Sequence, residues 1–244
     1  MTQEPLISFV VPVYNEERNI TNVLQDLYSV VEANPHWQSE VIVIEDGSRD
    51  RTRDVVRKLV ERHPSLQLIL HEKNRGYTPS LKDGIQRARG KYVMYVGADE
   101  EFDCSEIPLF VNPLLDSGPG HADVVLGVRW QRNAYQLARF FISVIYIFLL
   151  NSLFRLRVND YNWSQAWPRG FFDRVTLRSR SLFVLPEIII RAHDLKYKIK
   201  EIPSNHRGRR TGKSSVNLAI MGFALWEALR FWQYRSAPNY SSTK

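Results

Sequence analysis

EVIVIEDGSRDRTRDVVRKLVERH, residues 40–63, runs from β-branched apolar residues through two carboxylates and a glycine into a charged, periodic stretch. A short apolar run closed by turn-forming residues and followed by an amphipathic segment predicts a strand and then a helix. Ser48 and Asp50 are capping types at the start of the helical part, 48–63. The same rhythm recurs on both sides. LISFVVPVY (6–14) precedes NEERNITNVLQDLYSVVEAN (15–34), in which Ile20, Leu24, Leu27 and Val31 fall at helical spacing. LQLILHE (66–72) precedes TPSLKDGIQRARG (78–90), with Thr78 ahead of Pro79 at one end and Gly90 at the other, and KYVMYVGAD (91–99) follows. Continuous apolar strands alternating with helices predict an α/β fold with a mostly parallel sheet flanked by helices. ADVVLGVRW (122–130) adds a further strand.

The second half departs from this rhythm. FFISVIYIFLLNSLF (140–154), inside an apolar helix expected around 137–154, is uncharged and shorter than the ~20 residues of a spanning helix, so it reads as buried or interfacial. A polar loop, VNDYNWSQ (158–165), leads to a helical stretch at 184–195 and a strand at 197–203. NHRGRRTGKSS (205–215) is a basic glycine-containing loop, 216–235 an apolar-rich helix, and 236–244 has the composition of a disordered tail. Neither a repeat nor a linker is visible. The expectation is a single domain over 1–235.

With 244 residues and 44% hydrophobic content the chain can bury a sizeable core, and its formal charge of +7 favours an anionic partner: nucleic acid, a phosphorylated small molecule or an anionic membrane. One cysteine, Cys104, excludes a disulfide framework and a cysteine-based zinc cluster. MTQEPLIS at the start lacks a signal pattern, so export is not expected.

Ligands of a doubly wound sheet bind outside the carboxyl ends of its strands. Acidic residues gather there: Glu16 and Glu17 after the first run, Glu45 and Asp46 after the second, and Asp99, Glu100 and Glu101 after the fourth. Crowded carboxylates repel unless a cation or donor groups compensate them. A divalent metal with oxygen ligands, Mg²⁺ or Mn²⁺, shared with substrate phosphates is the economical explanation. Gly97 and Ala98 then admit a ligand to the backbone, while a solvated loop or helix start is the alternative for Glu100 and Glu101 and the favoured reading of Glu100. Arg207, Arg209, Arg210 and Lys213 around Gly208 and Gly212 make a donor-rich strip suited to phosphate oxygens. A solvated basic loop and a nucleic-acid patch are its alternatives, and no nucleic-acid motif accompanies it.

VVPVYNEERNI, VIVIEDGSRDRT, NRGYTPSLKDGIQRARGKYVMYVGADEE and RRTGKSS together resemble family 2 glycosyltransferases of GT-A fold, nearest to the dolichyl-phosphate mannose synthase and polyprenyl-phosphate glycosyltransferase branch. The likeness extends over roughly 6–235 and implies a nucleotide-sugar-binding half at 1–130 and an acceptor- and membrane-facing half at 131–235. It implies nucleotide contacts at Pro12, Tyr14, Asn15 and Glu16, a base-reading carboxylate at Asp46 beside Gly47, and Lys82 close to the nucleotide, with Gly97 and Ala98 lining the donor. Of the family's Asp-x-Asp signature Asp99 matches the second acid, Gly97 stands in place of the first, and Glu101 falls where this branch can supply another metal ligand. GVRW places Arg129 near the acceptor phosphate. VNDYNWSQ matches an acceptor loop at Asp160 and Ser164 but not at Asn162 and Trp163, Glu187 occupies a late acidic position, and RRTGKSS matches a phosphate loop at Arg209, Gly212 and Ser214, with Ser215 replacing its usual lysine and Lys213 compensating.

The resemblance implies an inverting transfer from a UDP- or GDP-linked sugar to a polyprenyl phosphate, with Asp99, Arg129 and Arg209 catalytic and Asp99 and Glu101 holding Mg²⁺ or Mn²⁺. Peripheral association with the cytoplasmic face of a membrane through C-terminal interfacial amphipathic helices follows, with no nucleic-acid partner and a homo-oligomer left open. A same-fold transferase with a saccharide or other non-lipid acceptor, and a catalytically silent nucleotide-sugar-binding relative with Gly97 as its mark, are the rivals. A phospho-receiver also has acids at strand ends, but it is about half this length.

Overall fold

The computed structural model describes residues 6–63, 65–130, 137–208, 218–237 and 240–241. Seven strands form one sheet: β1 (Ile7–Val13), β2 (Glu40–Glu45), β3 (Leu66–Leu70), β4 (Tyr92–Tyr95), β5 (Val124–Arg129), β6 (Gln165–Pro168) and β7 (Ile199–Ser204), in the order β3-β2-β1-β4-β6-β5-β7. β3, β2, β1 and β4 are mutually parallel, and β7 is parallel to β5 at the far edge. β6 runs antiparallel to both β4 and β5, which makes the sheet mixed and joins the two halves of the chain. β6 escaped the sequence reading because four residues, QAWP, are too few to show a period and end in proline.

Helices cover both faces: α1 (Ile20–Ala33), α2 (Thr52–Arg62), α3 (Tyr77–Arg87), α4 (Ile107–Leu115), α5 (Leu137–Phe154), α6 (Arg169–Arg174), α7 (Val184–Asp194) and α8 (Leu218–Arg235). Side chains alternate across the sheet. Phe9, Val11 and Val43 pack with α1, α2 and α4 in one core, whereas Val10, Ile42 and Ile44 pack with α3, α5, α7 and α8 in the other. Burial on both faces is why the strands read as unbroken apolar runs.

The first three helices differ from expectation at their ends. Residues 15–19 and 46–51 are loops that bond to each other and not helical turns: Asn15 N donates to Ser48 Oγ and Glu16 N to Thr52 Oγ1. Ser48 therefore serves a neighbouring loop, while Asp50 Oδ1 accepts from Thr52 N at the start of α2. Gly90 lies beyond α3, where a Cβ would strike the backbone of Ser8. α4 was not expected, since Pro108 and Pro113 disguise IPLFVNPLL, although Pro108 sits in the first turn where proline is tolerated. Tyr240, in the segment expected to be a disordered tail, is held to the fold: its hydroxyl donates to Asp194, which also pairs with Arg235.

Candidate active site

The carboxyl ends of β1, β2 and β4 open on one crevice, and each acid there can be followed to its partners. Glu45 is fully buried, accepts from Ser48 N and pairs with Arg53 at 2.7 Å. Burial alone would raise its pKa, but the hydrogen bonds from Ser48 and Arg53 and the latter's charge outweigh it and hold the carboxylate below its ordinary range. Glu45 is thus a structural group, and its occurrence where the family carries an aspartate coincides with this ion pair. Glu16 accepts from Asn19 Nδ2 at 2.5 Å, and Glu17 accepts from Arg51 N.

Asp46 is buried and acts as the organiser of the loop after β3. Its Oδ1 accepts from Arg75 N and lies 2.7 Å from His71 Nδ1, and its Oδ2 accepts from Gly76 N. The Asn-x-Gly segment at 74–76 is therefore folded onto Asp46, and Gly76, at φ 93°, adopts a backbone that other residues resist. Gly47, at φ 66°, lets the backbone of Lys73 and Asn74 pack against it, so the sequence-predicted Asp46 and Gly47 meet at the expected strand end. Pro12 lies in β1 opposite Ile44, and Tyr14 is half-buried just after it.

Gly97, Ala98 and Asp99 follow β4. Asp99 is half-buried and its Oδ1 accepts from Glu101 N at 3.3 Å. Glu100, at φ 60°, turns away and accepts from Asn22 of α1, so it is a surface link and not part of the crevice. Glu101 lies beside the basic segment: its Oε2 is 3.3 Å from His206 Nε2, its carbonyl accepts from Arg207 N, and Arg207 pairs with Asp103. The acidic turn thereby anchors the beginning of the basic strip. Arg209, Gly212, Lys213 and Ser214, the rest of the expected phosphate loop, lie outside the described residues.

Across β6, Arg129 and Asp160 form a buried bidentate pair, with Nε and Nη2 at 2.6 and 2.8 Å from the carboxylate and the guanidinium over the Trp163 ring at 5.0 Å. The two residues expected at the acceptor phosphate are brought together, each as the other's partner. Ser164 is buried with its carbonyl on Gly127 N.

Lys82 and Glu187 meet elsewhere than expected. Lys82 Nζ donates to the carbonyls of Leu177 and Ser179, and Glu187 accepts from Arg178 N, Ser179 N and Arg191 Nε. Both secure the 177–182 loop, to which Glu227 of α8 adds bonds from Ser179 Oγ, Arg180 N and both the N–H and hydroxyl of Ser181. Burial lowers the Lys82 pKa against the opposing charges of Glu187 and Glu227. Lys82 is a tie between α3 and this loop, and Glu227 is a functional-looking acid that its apolar helix concealed in the sequence.

The donor set fits a metal only in part. Asp99 and Glu101 supply hard oxygen ligands of the kind Mg²⁺ and Mn²⁺ take, but among the described residues no group of three or more His, Cys, Asp or Glu side chains can hold an ion. Such a pair suits an ion shared with substrate phosphates. Two residues that sequence reasoning passed over also belong to the crevice. Tyr95 and Tyr77 meet edge-on at 5.6 Å beside Asp99, and only their places at the end of β4 and the start of α3 could have marked them.

The model of glycosyl transferase family 2 matches residues 8–175. A dodecaprenyl-phosphate galacturonate synthase of Rhizobium johnstonii is 25% identical over 240 residues, 96% of this chain and 69% of that protein. A dolichyl-phosphate beta-glucosyltransferase of Trichomonas vaginalis is 35% identical over 100 residues, 39% of this chain and only 30% of its own length. Among solved structures, glucosyl-3-phosphoglycerate synthase from Mycobacterium tuberculosis with Mg²⁺ and UDP superposes with a TM-score of 0.70 at 18% identity, over 94% of this chain and 79% of that one.

Proposed function

Because the chain belongs to glycosyl transferase family 2, we propose that it moves a sugar from a UDP- or GDP-linked donor to a polyprenyl phosphate at a membrane surface. The observation that carries the lipid acceptor is a pair of outward apolar faces. α5 exposes Phe141, Val144, Ile145 and Phe148, and α8 exposes Phe223, Trp226, Leu229 and Trp232, while Tyr146, Leu150, Phe154, Ala224, Ala228 and Phe231 pack inward. Phe141 and Phe148 are 60% and 67% exposed, a cost in water that an interface would relieve. Among the described residues no helix is long and apolar enough to cross a membrane. The faces therefore suit a surface-lying attachment, assisted by Arg230, exposed on α8 beside Trp226. Salt-sensitive binding to anionic vesicles is its signature. The names of the polyprenyl- and dolichyl-phosphate relatives support the same acceptor class.

In the reaction, an oxygen of the acceptor phosphate forms a bond to the anomeric carbon as the bond from that carbon to the departing nucleoside diphosphate breaks, with inversion. A phosphate monoester is already largely ionised near neutral pH, so no strong general base is required. A bound Mg²⁺ or Mn²⁺ would neutralise charge on the leaving diphosphate. The chain's own residues supply positioning and charge. Asp99 and Glu101 face the diphosphate end, Asp46 fixes the loop that closes over the nucleotide, the basic strip from Arg207 onward meets the acceptor phosphate, and Asp160 holds Arg129 in place.

The test is transfer by two neighbouring variants. Asp99→Ala should abolish turnover and Glu100→Ala, which loses a surface bond to Asn22, should stay near the unmodified rate. Equal effects would sink the assignment.

A further inference from the structure

We propose that His71 is a positioning residue for the nucleotide: its ring fixes the Asp46 carboxylate to the sheet, and that grip on Asp46, not the ring's bulk or its other contacts, sets how tightly a nucleoside diphosphate binds. The inference rests on the transferase reading above and deepens its nucleotide half.

His71 follows β3 and is 5% exposed. Its backbone is held independently of its ring, since its N–H donates to the Glu45 carbonyl at 2.9 Å and its own carbonyl accepts from Arg53. The ring is held at both ends. Nδ1 lies 2.7 Å from Asp46 Oδ1, while Nε2 lies 3.0 Å from Asp83 Oδ2 of α3 and 3.2 Å from Arg75 Nη1. Arg75 and Asp83 are themselves paired at 2.6 Å. The Nε2 end therefore has a partner in either protonation state, accepting from Arg75 without a hydrogen and donating to Asp83 with one. Nδ1 has no such choice: a carboxylate oxygen accepts, so Nδ1 carries the hydrogen and donates it to Asp46.

The anchoring runs in one direction. Asp46 is bonded by His71 Nδ1, Arg75 N and Gly76 N. The second and third of these donors belong to the 74–76 loop that the carboxylate folds, whereas His71 is anchored outside it, with its backbone on β2 and Asp83 of α3 at the far end of its ring. His71 thus orients the carboxylate, and the carboxylate orients the loop. Gly47 packs on the backbone of Lys73 and Asn74, so the turn after β2 and the turn after β3 form one surface at the strand ends, where ligands of such sheets bind. Removing the Nδ1 donor leaves a carboxylate that is 3% exposed short of one bond and loosens the orientation of that surface.

The experiment is calorimetric titration, in Mg²⁺, of UDP and GDP into the unmodified protein and into His71→Ala, His71→Gln and His71→Asn, beside urea unfolding of each. An asparagine amide ends at the reach of Nδ1 and a glutamine amide at the reach of Nε2, and both amides donate. For the diphosphate that binds, His71→Ala and His71→Gln should each weaken affinity about fivefold to tenfold, the worth of one hydrogen bond, and His71→Asn should recover it to within about twofold of the unmodified protein. The urea midpoints of His71→Asn and His71→Gln should fall together, since each loses one end of the ring, so stability alone would not separate them. Equal affinity losses in His71→Asn and His71→Gln would reduce His71 to packing and overturn the proposal. A loss in His71→Asn with none in His71→Gln would move the grip to Arg75 and Asp83 and overturn it as well, as would unchanged affinity in all three variants. Failure of both diphosphates to bind the unmodified protein would overturn the transferase reading itself.

Discussion

Asp160→Ala removes the carboxylate that pairs with the buried Arg129 guanidinium, and its cost can be worked from the geometry. The two side chains are 9% and 1% exposed, with bonds of 2.6 and 2.8 Å. Breaking such a pair from one side leaves a guanidinium in a site it cannot readily leave, at ~3–5 kcal/mol. For a chain of this size each kcal/mol shifts the unfolding midpoint by about 2–4 °C, so a fall of roughly 6–20 °C is expected. Arg51→Ala is the control: Arg51 is 84% exposed at 3.4 Å from Glu17, and its loss should cost ~1 kcal/mol or less. Urea unfolding followed by tryptophan fluorescence suits the measurement, since Trp163 lies under the guanidinium. Adding Arg129→Met to Asp160→Ala should recover stability by removing the stranded charge. A cost for Asp160→Ala no larger than the control, or a double variant whose losses simply add, would refute the reasoning.

The remaining expectations concern metal and acid. Since, among the described residues, Asp99 and Glu101 are a pair and not a full ligand set, Mn²⁺ titrated alone should bind weakly, and at least about tenfold more tightly once UDP or GDP contributes phosphate oxygens; tight stoichiometric binding without nucleotide would contradict this. Glu45 and Glu40 have pKa values held below the ordinary carboxylate range, each by hydrogen bonds and an arginine that outweigh burial. A lowered folded-state pKa gives stability that is complete above the unfolded value of about 4.3 and is lost as pH falls through the folded one. The urea midpoint should therefore be flat from pH 7 to 5 and drop below about pH 4, and equal midpoints at pH 7 and 3 would contradict it.

What the sequence disclosed follows from how locally each feature is encoded. β1, β2 and β4 and the acids at their ends were legible because a doubly covered strand is apolar along its whole length and ends abruptly in charge. α5 and α8 were legible as apolar helices, but not their division into an inward and an outward face. β6 was invisible, since its pairing with β4 and β5 is decided by partners tens of residues away. The roles of Lys82 and Glu227 were hidden for the same reason, since both reach the 177–182 loop from distant helices, while Glu187 reaches it from the helix that directly follows. Tyr95 and Tyr77 read as ordinary strand and helix residues, and only the fold sets their rings edge-on.

The central claim is transfer of a sugar to a lipid phosphate. The unmodified protein, incubated with polyprenyl phosphate, Mn²⁺ and labelled UDP- and GDP-sugars in turn, should carry label from one donor into an organic extract, and only when the lipid is present. Measurable nucleotide binding with no label in that extract from any donor would contradict the account and leave a non-lipid acceptor or a silent binding protein in its place.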